Sequence, residues 1–282
     1  MQINSKKSLN SNISYAGGLT KPMITDIRNT DVSKIQNYLA KNNINSDFQN
    51  NKLLAWSVVK VFEFIKELQN TFKLKLGYPS NIMVKDTKTL NIPNLEFTYG
   101  FCNLVPCRIH KASEEITPAK TIIFNKDFPW DKINEISDFD FHVAKNTTTD
   151  FFLEFVFHEF SHIFHENHLL NTSSVNNVLK KLLSMTDPKI IQNYQQEYGQ
   201  LVEKQICKYA RKEPMDLIAC DMSGRLINNL DRDSIRPISN PLENSPYEKL
   251  FSLKSFFNKK PQIERLIKNI FDGDTNILKN TD

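Results

Sequence analysis

Apolar positions along this chain follow two different rhythms. Between about residues 81 and 125 they come in short runs separated by asparagine and proline. From Asp150 onward a period near 3.6 residues takes over. Residues 1–30 are polar, with Gly17-Gly18 and Pro22, and read as a loose arm. Helices are predicted over 31–42 and over 51–72, the second with Leu54, Val58, Val61, Phe62, Ile65 and Leu68 on one stripe. Strands are expected at 81–85, 95–104 and 121–125. Helical patterning then covers 150–167, 174–186, 189–211, 214–229, 246–257 and 261–271, and no internal repeat is visible. A small sheet followed by a helical half is an α+β layout with a cleft between the halves. Its natural divisions are an arm at 1–30, a helical region at 31–75, a core at 76–235 and a helical extension at 236–282.

The most informative segment is FVFHEFSHIFH, residues 155–165. Phe151, Phe152, Leu153, Phe155, Val156, Phe157, Phe160, Ile163 and Phe164 make this helix apolar almost all round, which marks it as buried. The polar run Thr147 to Asp150 ahead of it reads as its N-cap. A buried polar group without a partner costs ~2–7 kcal/mol, so His158, Glu159 and His162 must be satisfied. Core hydrogen bonds would do this; so would a metal. Residues four apart share a helix face, so His158 and His162 can bring two imidazole nitrogens to one ion while Glu159 stands beside it, the HExxH arrangement of zinc peptidases.

A catalytic zinc takes three protein ligands and leaves a fourth position for water. Three residues could complete the set. Asp216 and Glu213 stand where Pro214 opens a downstream helix, at places where an acid also favours the helix dipole. His168, six residues past His162, sits where the pattern HExxHxxGxxH would have its third histidine, with Met185 available downstream. That pattern's glycine, which permits the sharp turn, is His165 here. His165 otherwise reads as a cleft residue. The strand KTIIFN, the last before the histidine helix, is either an ordinary strand or a sheet edge that pairs with an extended peptide.

Composition narrows the function classes without choosing among them. The chain has 282 residues, 40% hydrophobic, and a net charge of +4 spread without a dominant block, which gives nucleic-acid or membrane-surface binding no support. No run approaches the ~20 apolar residues of a membrane span, and the first residues lack the apolar core of an export signal. The expectation is a protein that is cytoplasmic, or secreted by a specialised route. Cys102, Cys107, Cys207 and Cys220 are spaced too irregularly for a zinc ribbon and read as free thiols, with a Cys102–Cys107 bridge as the alternative.

HEFSH after an apolar run, followed by Tyr209-Ala210-Arg211-Lys212-Glu213-Pro214-Met215-Asp216-Leu217-Ile218-Ala219, resembles the gluzincin branch of the zincin metallopeptidases, as in the catalytic domain of anthrax lethal factor and related bacterial and phage peptidases. The similarity runs from about Thr121 to Leu230. It implies a zincin-like fold, one Zn2+ and hydrolysis of a peptide or protein substrate. By the same match His158, His162 and Asp216 would be the metal ligands, Glu159 the general base and Tyr209 a catalytic phenol. Two positions depart from the family pattern. Asp216 stands in place of glutamate, one methylene shorter, with Ala219 leaving room for closer approach. Cys220 stands in place of an acid, which would cost an outer hydrogen bond to a ligand histidine; Asp221 could substitute only from a direction about 100° away. The competing readings are a metal-stabilised binding protein that has lost hydrolysis, and a helical interaction module formed by residues 31–72 and 246–271.

Overall fold

A computed structural model describes residues 18–90, 98–104, 117–238 and 261–279. The first helix, α1 (Lys21–Arg28), falls within the segment expected to be a loose arm. Thr20 caps it by accepting from the Met23 amide, Pro22 suits its first turn, and Met23 is buried in the core. Residues 1–17 lie outside the described part. α2 (Val32–Lys41) starts at Asp31, whose carboxylate accepts from the Lys34 amide. A short strand, β1 (Asn45–Asp47), precedes α3 (Lys52–Phe72), capped by the Asn51 side chain on the Leu54 amide. Between Leu54 and Leu68 only Glu63 and Glu67 are exposed, so α3 is enclosed on nearly every side.

Three more strands complete a four-stranded sheet: β2 (Asn81–Lys85), β3 (Gly100–Asn103) and β4 (Thr121–Asn125). The order is β1-β2-β4-β3, with β1, β2 and β4 parallel and β3 antiparallel to β4. The KTIIFN strand is therefore interior, and its edge reading is corrected: all five residues of β4 are buried, as the unbroken apolar run Ile122-Ile123-Phe124 requires on a sheet covered on both faces. Among the described residues, the edge beside the histidine helix is β3. Gly100 opens it, and a Cβ there would meet the Ile123 carbonyl oxygen at 2.5 Å, so only glycine allows this pairing. Residues 95–97 of the expected strand, and Cys107, lie outside the described part.

The helical half contains α4 (Ile133–Phe139), running into a π turn at Asp140–Ala144, then α5 (Glu154–Thr172), α6 (Val175–Met185), α7 (Pro188–Glu197) and α8 (Gly199–Gln205). A 3-10 turn at Tyr209–Arg211 leads to α9 (Pro214–Asn228), a small hairpin of β5 (Leu230–Asp231) and β6 (Arg236–Pro237), and α10 (Pro261–Phe271). The single helix expected over 189–211 is three pieces. It breaks at Tyr198, just ahead of Gly199, a poor helix former with the Arg211 Cγ 3.2 Å from where a Cβ would stand, and again after Gln205. The expected helix at 246–257 lies outside the described residues.

α5 is held from three sides. Phe155 stacks on Tyr99 at 5.8 Å and meets Phe124 and Trp130 of the sheet side, while Phe157 packs edge-on against Phe64 of α3 at 5.4 Å. α9 runs along its other face. α10 closes the back with Ile263, Leu266, Ile267, Ile270 and Phe271 buried. Arg225 ties α9 to α10, donating to Asp221 at 2.8 Å and to Glu264 at 3.3 Å. One apolar cluster extends from Met23 to Leu278, and among the described residues no helix is long and apolar enough to cross a membrane.

Candidate metal centre

The helix that carries the histidines begins in an unexpected way. α5 starts at Glu154, four residues later than its polar leader suggests, and Leu153 at the cap position makes no side-chain bond. The leader works in reverse. Thr148 and Thr149 each donate a backbone N–H and a hydroxyl to the Glu154 carboxylate, four bonds of 2.7–2.8 Å. Burial pushes the Glu154 carboxyl up, and these four donors pull it back. The clamp fixes the first turn of α5, and with it the direction in which His158 leaves the helix one turn later. Asp150, the last residue of the leader, pairs instead with Arg232 at 2.8 Å.

His158 and His162 stand one above the other, ring centroids 4.9 Å apart. Asp216, in the first turn of α9, faces both, with Oδ1 at 3.7 Å from Nε2 of His158 and 3.8 Å from Nε2 of His162. These three ligand atoms all lie within 4.8 Å of one another. Ligands at ~2.0–2.2 Å around a tetrahedral zinc stand roughly 3.3–3.5 Å apart, so the carboxylate would need to close on each imidazole by only a few tenths of an ångström. Burial holds the His158 pKa down to about 4 and depresses that of His162 as well, keeping both imidazoles neutral as ligation requires. Burial also pushes Asp216 well above the usual carboxylate range.

Glu159 lies beside this triad, 6% exposed, and its Oε2 has no hydrogen-bond partner among the described residues. Burial, and then the charge of Asp216, push its pKa up to about 8. Two imidazoles and a buried carboxylate that converge beside a second acid with an orphaned oxygen are a donor set that could hold a divalent cation. The residues present fit a metal ion.

Tyr209 comes from the 3-10 turn ahead of α9. Its ring meets His158 edge-on at 5.4 Å, and the Lys212 ammonium lies 3.8 Å from its centroid. Two supports hold the turn: the buried Tyr194 hydroxyl donates to the Ala210 carbonyl at 2.5 Å, and the Gln195 amide donates to the Lys212 carbonyl at 2.7 Å. Two cavities meet at the site. One, about 380 Å³, has aromatic walls from Tyr99, Phe128, Phe151 and Phe155. The other, about 340 Å³, runs along Gly100–Asn103 of β3. Gly100, His158, Glu159 and Tyr209 line both.

The remaining sequence candidates fall elsewhere. α5 continues to Thr172 without the turn that a third histidine would need; His168 Nε2 pairs with Asp272 at 3.1 Å and its ring stacks on Phe271. His165 is fully buried with Nε2 at 3.2 Å from the Ile270 carbonyl oxygen. Glu213 occupies the N-cap position of α9 without a side-chain capping bond, and lines the β3 cavity. Asp221 is engaged by Arg225 and takes no part in the site. Cys220 does: its Sγ lies 3.7 Å from Nδ1 of His158 and 3.5 Å from Sγ of Cys207. Cys207, Lys212, Gly100 and the Glu154 clamp escaped the sequence reading; only the glycine, ahead of a short strand, carried a local signal. Comparison of the chain with protein-family descriptions, with characterised proteins and with solved structures finds no match, so its affinities rest on the geometry of this site.

Proposed function

We propose that the chain is a zinc-dependent metallopeptidase of zincin-like architecture, acting on a peptide or protein substrate. The observation that carries this reading is the convergence of His158 Nε2, His162 Nε2 and Asp216 Oδ1 beside the unpartnered Oε2 of Glu159. When bound, a zinc ion would polarise a peptide carbonyl and lower the pKa of water from 15.7 toward about 7. With a cation beside it offsetting the burial that raises its pKa, Glu159 would take a proton from water and return it to the leaving amine. The Tyr209 phenol, kept protonated by burial, donates to the oxyanion as it develops.

The two cavities suit a chain passing over the site. β3, as the edge strand, offers main-chain donors and acceptors to an extended peptide. The aromatic-walled cavity next to Glu159 takes a large apolar side chain beside the bond to be cut. A second reading, a zinc-stabilised binding protein, draws on Cys220, a weak thiol acceptor where an acid would hold the ligand histidine more firmly. Cleavage of a mixed peptide library by wild type and by Glu159→Gln separates the two. Hydrolysis by wild type alone, with equal zinc in both proteins, supports the peptidase; zinc without cleavage in either supports the binding protein.

A further inference from the structure

His158 uses its two ring nitrogens differently. Nε2 faces Asp216 at 3.7 Å and His162 lies alongside, so this nitrogen is the one available to a metal. Nδ1 faces the Cys220 sulfur at 3.7 Å, an ordinary length for an N–H donor on sulfur. A histidine that ligates through Nε2 carries its proton on Nδ1, and the group accepting that proton sets the ring's tautomer, its orientation and its strength as a ligand. In this chain that group is a thiol. Cys220 is itself oriented, since Cys207 donates its S–H to the Cys220 sulfur at 3.5 Å while accepting the Ala210 amide at 3.4 Å. The result is a buried line from the Tyr209–Arg211 turn through two sulfurs to the imidazole. Both cysteines are 2% exposed, so this line of contacts runs through the core.

We propose that Cys220 is the positioning residue for His158, accepting its Nδ1 proton, and that Cys207 holds Cys220 in place for this task. The proposal rests on the zinc-peptidase reading. It has two consequences. A neutral sulfur accepts more weakly than a carboxylate, so this chain holds its zinc less tightly than it would with an acid at position 220. It also makes the Tyr209 turn and the metal site interdependent, because the same pair of thiols touches both.

Zinc affinity, read by chelator competition, tests this together with thermal unfolding of the metal-free proteins. Cys220→Val, which fills the space without offering an acceptor, is expected to weaken zinc binding about 10- to 100-fold. Cys220→Asp is expected to bind as tightly as wild type or more so, and Cys207→Ala to lose several-fold by loosening Cys220. A structural role would instead lower the unfolding temperatures of both cysteine variants together and leave affinity per folded molecule unchanged. Nitrogen-edited NMR of zinc-loaded wild type supplies a check that needs no variant: the His158 Nδ1 proton should be visible and slow to exchange. Cys220→Val within twofold of wild type, or a rapidly exchanging Nδ1 proton, overturns the proposal. Wild type that binds no zinc at all overturns the peptidase reading beneath it, which is a different result.

Discussion

Oδ1 of Asp216 lies 3.7 Å from Nε2 of His158, although the two residues come from different helices. The contact exists because α9 begins at Pro214 and runs along α5, so the first turn of one helix meets the middle of the other. Asp216 is one methylene short of the glutamate that the resemblance calls for. Ala219, fully buried one turn further on, leaves room for this close approach.

Asp216→Ala should therefore lower zinc affinity strongly, while His168→Ala and Glu213→Ala leave it nearly unchanged. His168 is committed to Asp272, and Glu213 lies at the helix cap. Chelator competition on the three variants decides the matter. Loss of zinc from the His168 variant, with Asp216→Ala unaffected, would reassign the third ligand.

Tyr209→Phe keeps the ring that meets His158 and removes only the hydroxyl. If the phenol donates to the oxyanion, kcat should fall by about 100- to 1,000-fold with KM little changed. Zinc content should stay the same. An unchanged kcat would make Tyr209 a packing residue under Lys212.

Much of this site can be read directly along the chain, and the reason is local. The HEFSH helix announces itself because its apolar residues leave no solvent face, and Asp216 because Pro214 marks where its helix begins. What escaped depends on contacts between distant segments. β4 was open to reading as an edge because strand order is invisible in one dimension, although its uninterrupted Ile122-Ile123-Phe124 run carried the answer. The seat of Arg211 on Gly199 and the Cys207–Cys220–His158 line each join segments that no spacing connects.

The Glu154 clamp is expected to matter more for stability than its place ahead of the site suggests. Glu154→Ala would leave two buried backbone N–H groups of Thr148 and Thr149 without acceptors, at about 1–3 kcal/mol each. Urea unfolding should register a loss of roughly 2–6 kcal/mol, unless water enters to replace the carboxylate. A loss under about 1 kcal/mol would mean that the clamp is dispensable.

His165 gives the fold an acid limit. It is fully buried, and burial holds its pKa near 3, with smaller contributions from His162 and His168. In the unfolded chain a histidine titrates near pH 6.5. Between those values the unfolded state binds a proton that the folded state refuses. Stability therefore falls as pH drops from about 6.5 toward 3, by roughly 1.4 kcal/mol per pH unit for one such group, and His165 contributes nothing above 6.5. His165→Phe should flatten the pH dependence of urea unfolding between pH 6.5 and 4.5 by that amount. An unaltered slope would place the acid sensitivity in other groups.

The central claim, that two imidazoles of α5 and one carboxylate of α9 hold a single zinc ion, is tested most directly by elemental analysis of the full chain purified without chelators. One zinc per chain, removed by a strong chelator and restored on adding zinc back, is the expected result. A chain that is folded and carries no stoichiometric metal, even after incubation with zinc, would contradict it.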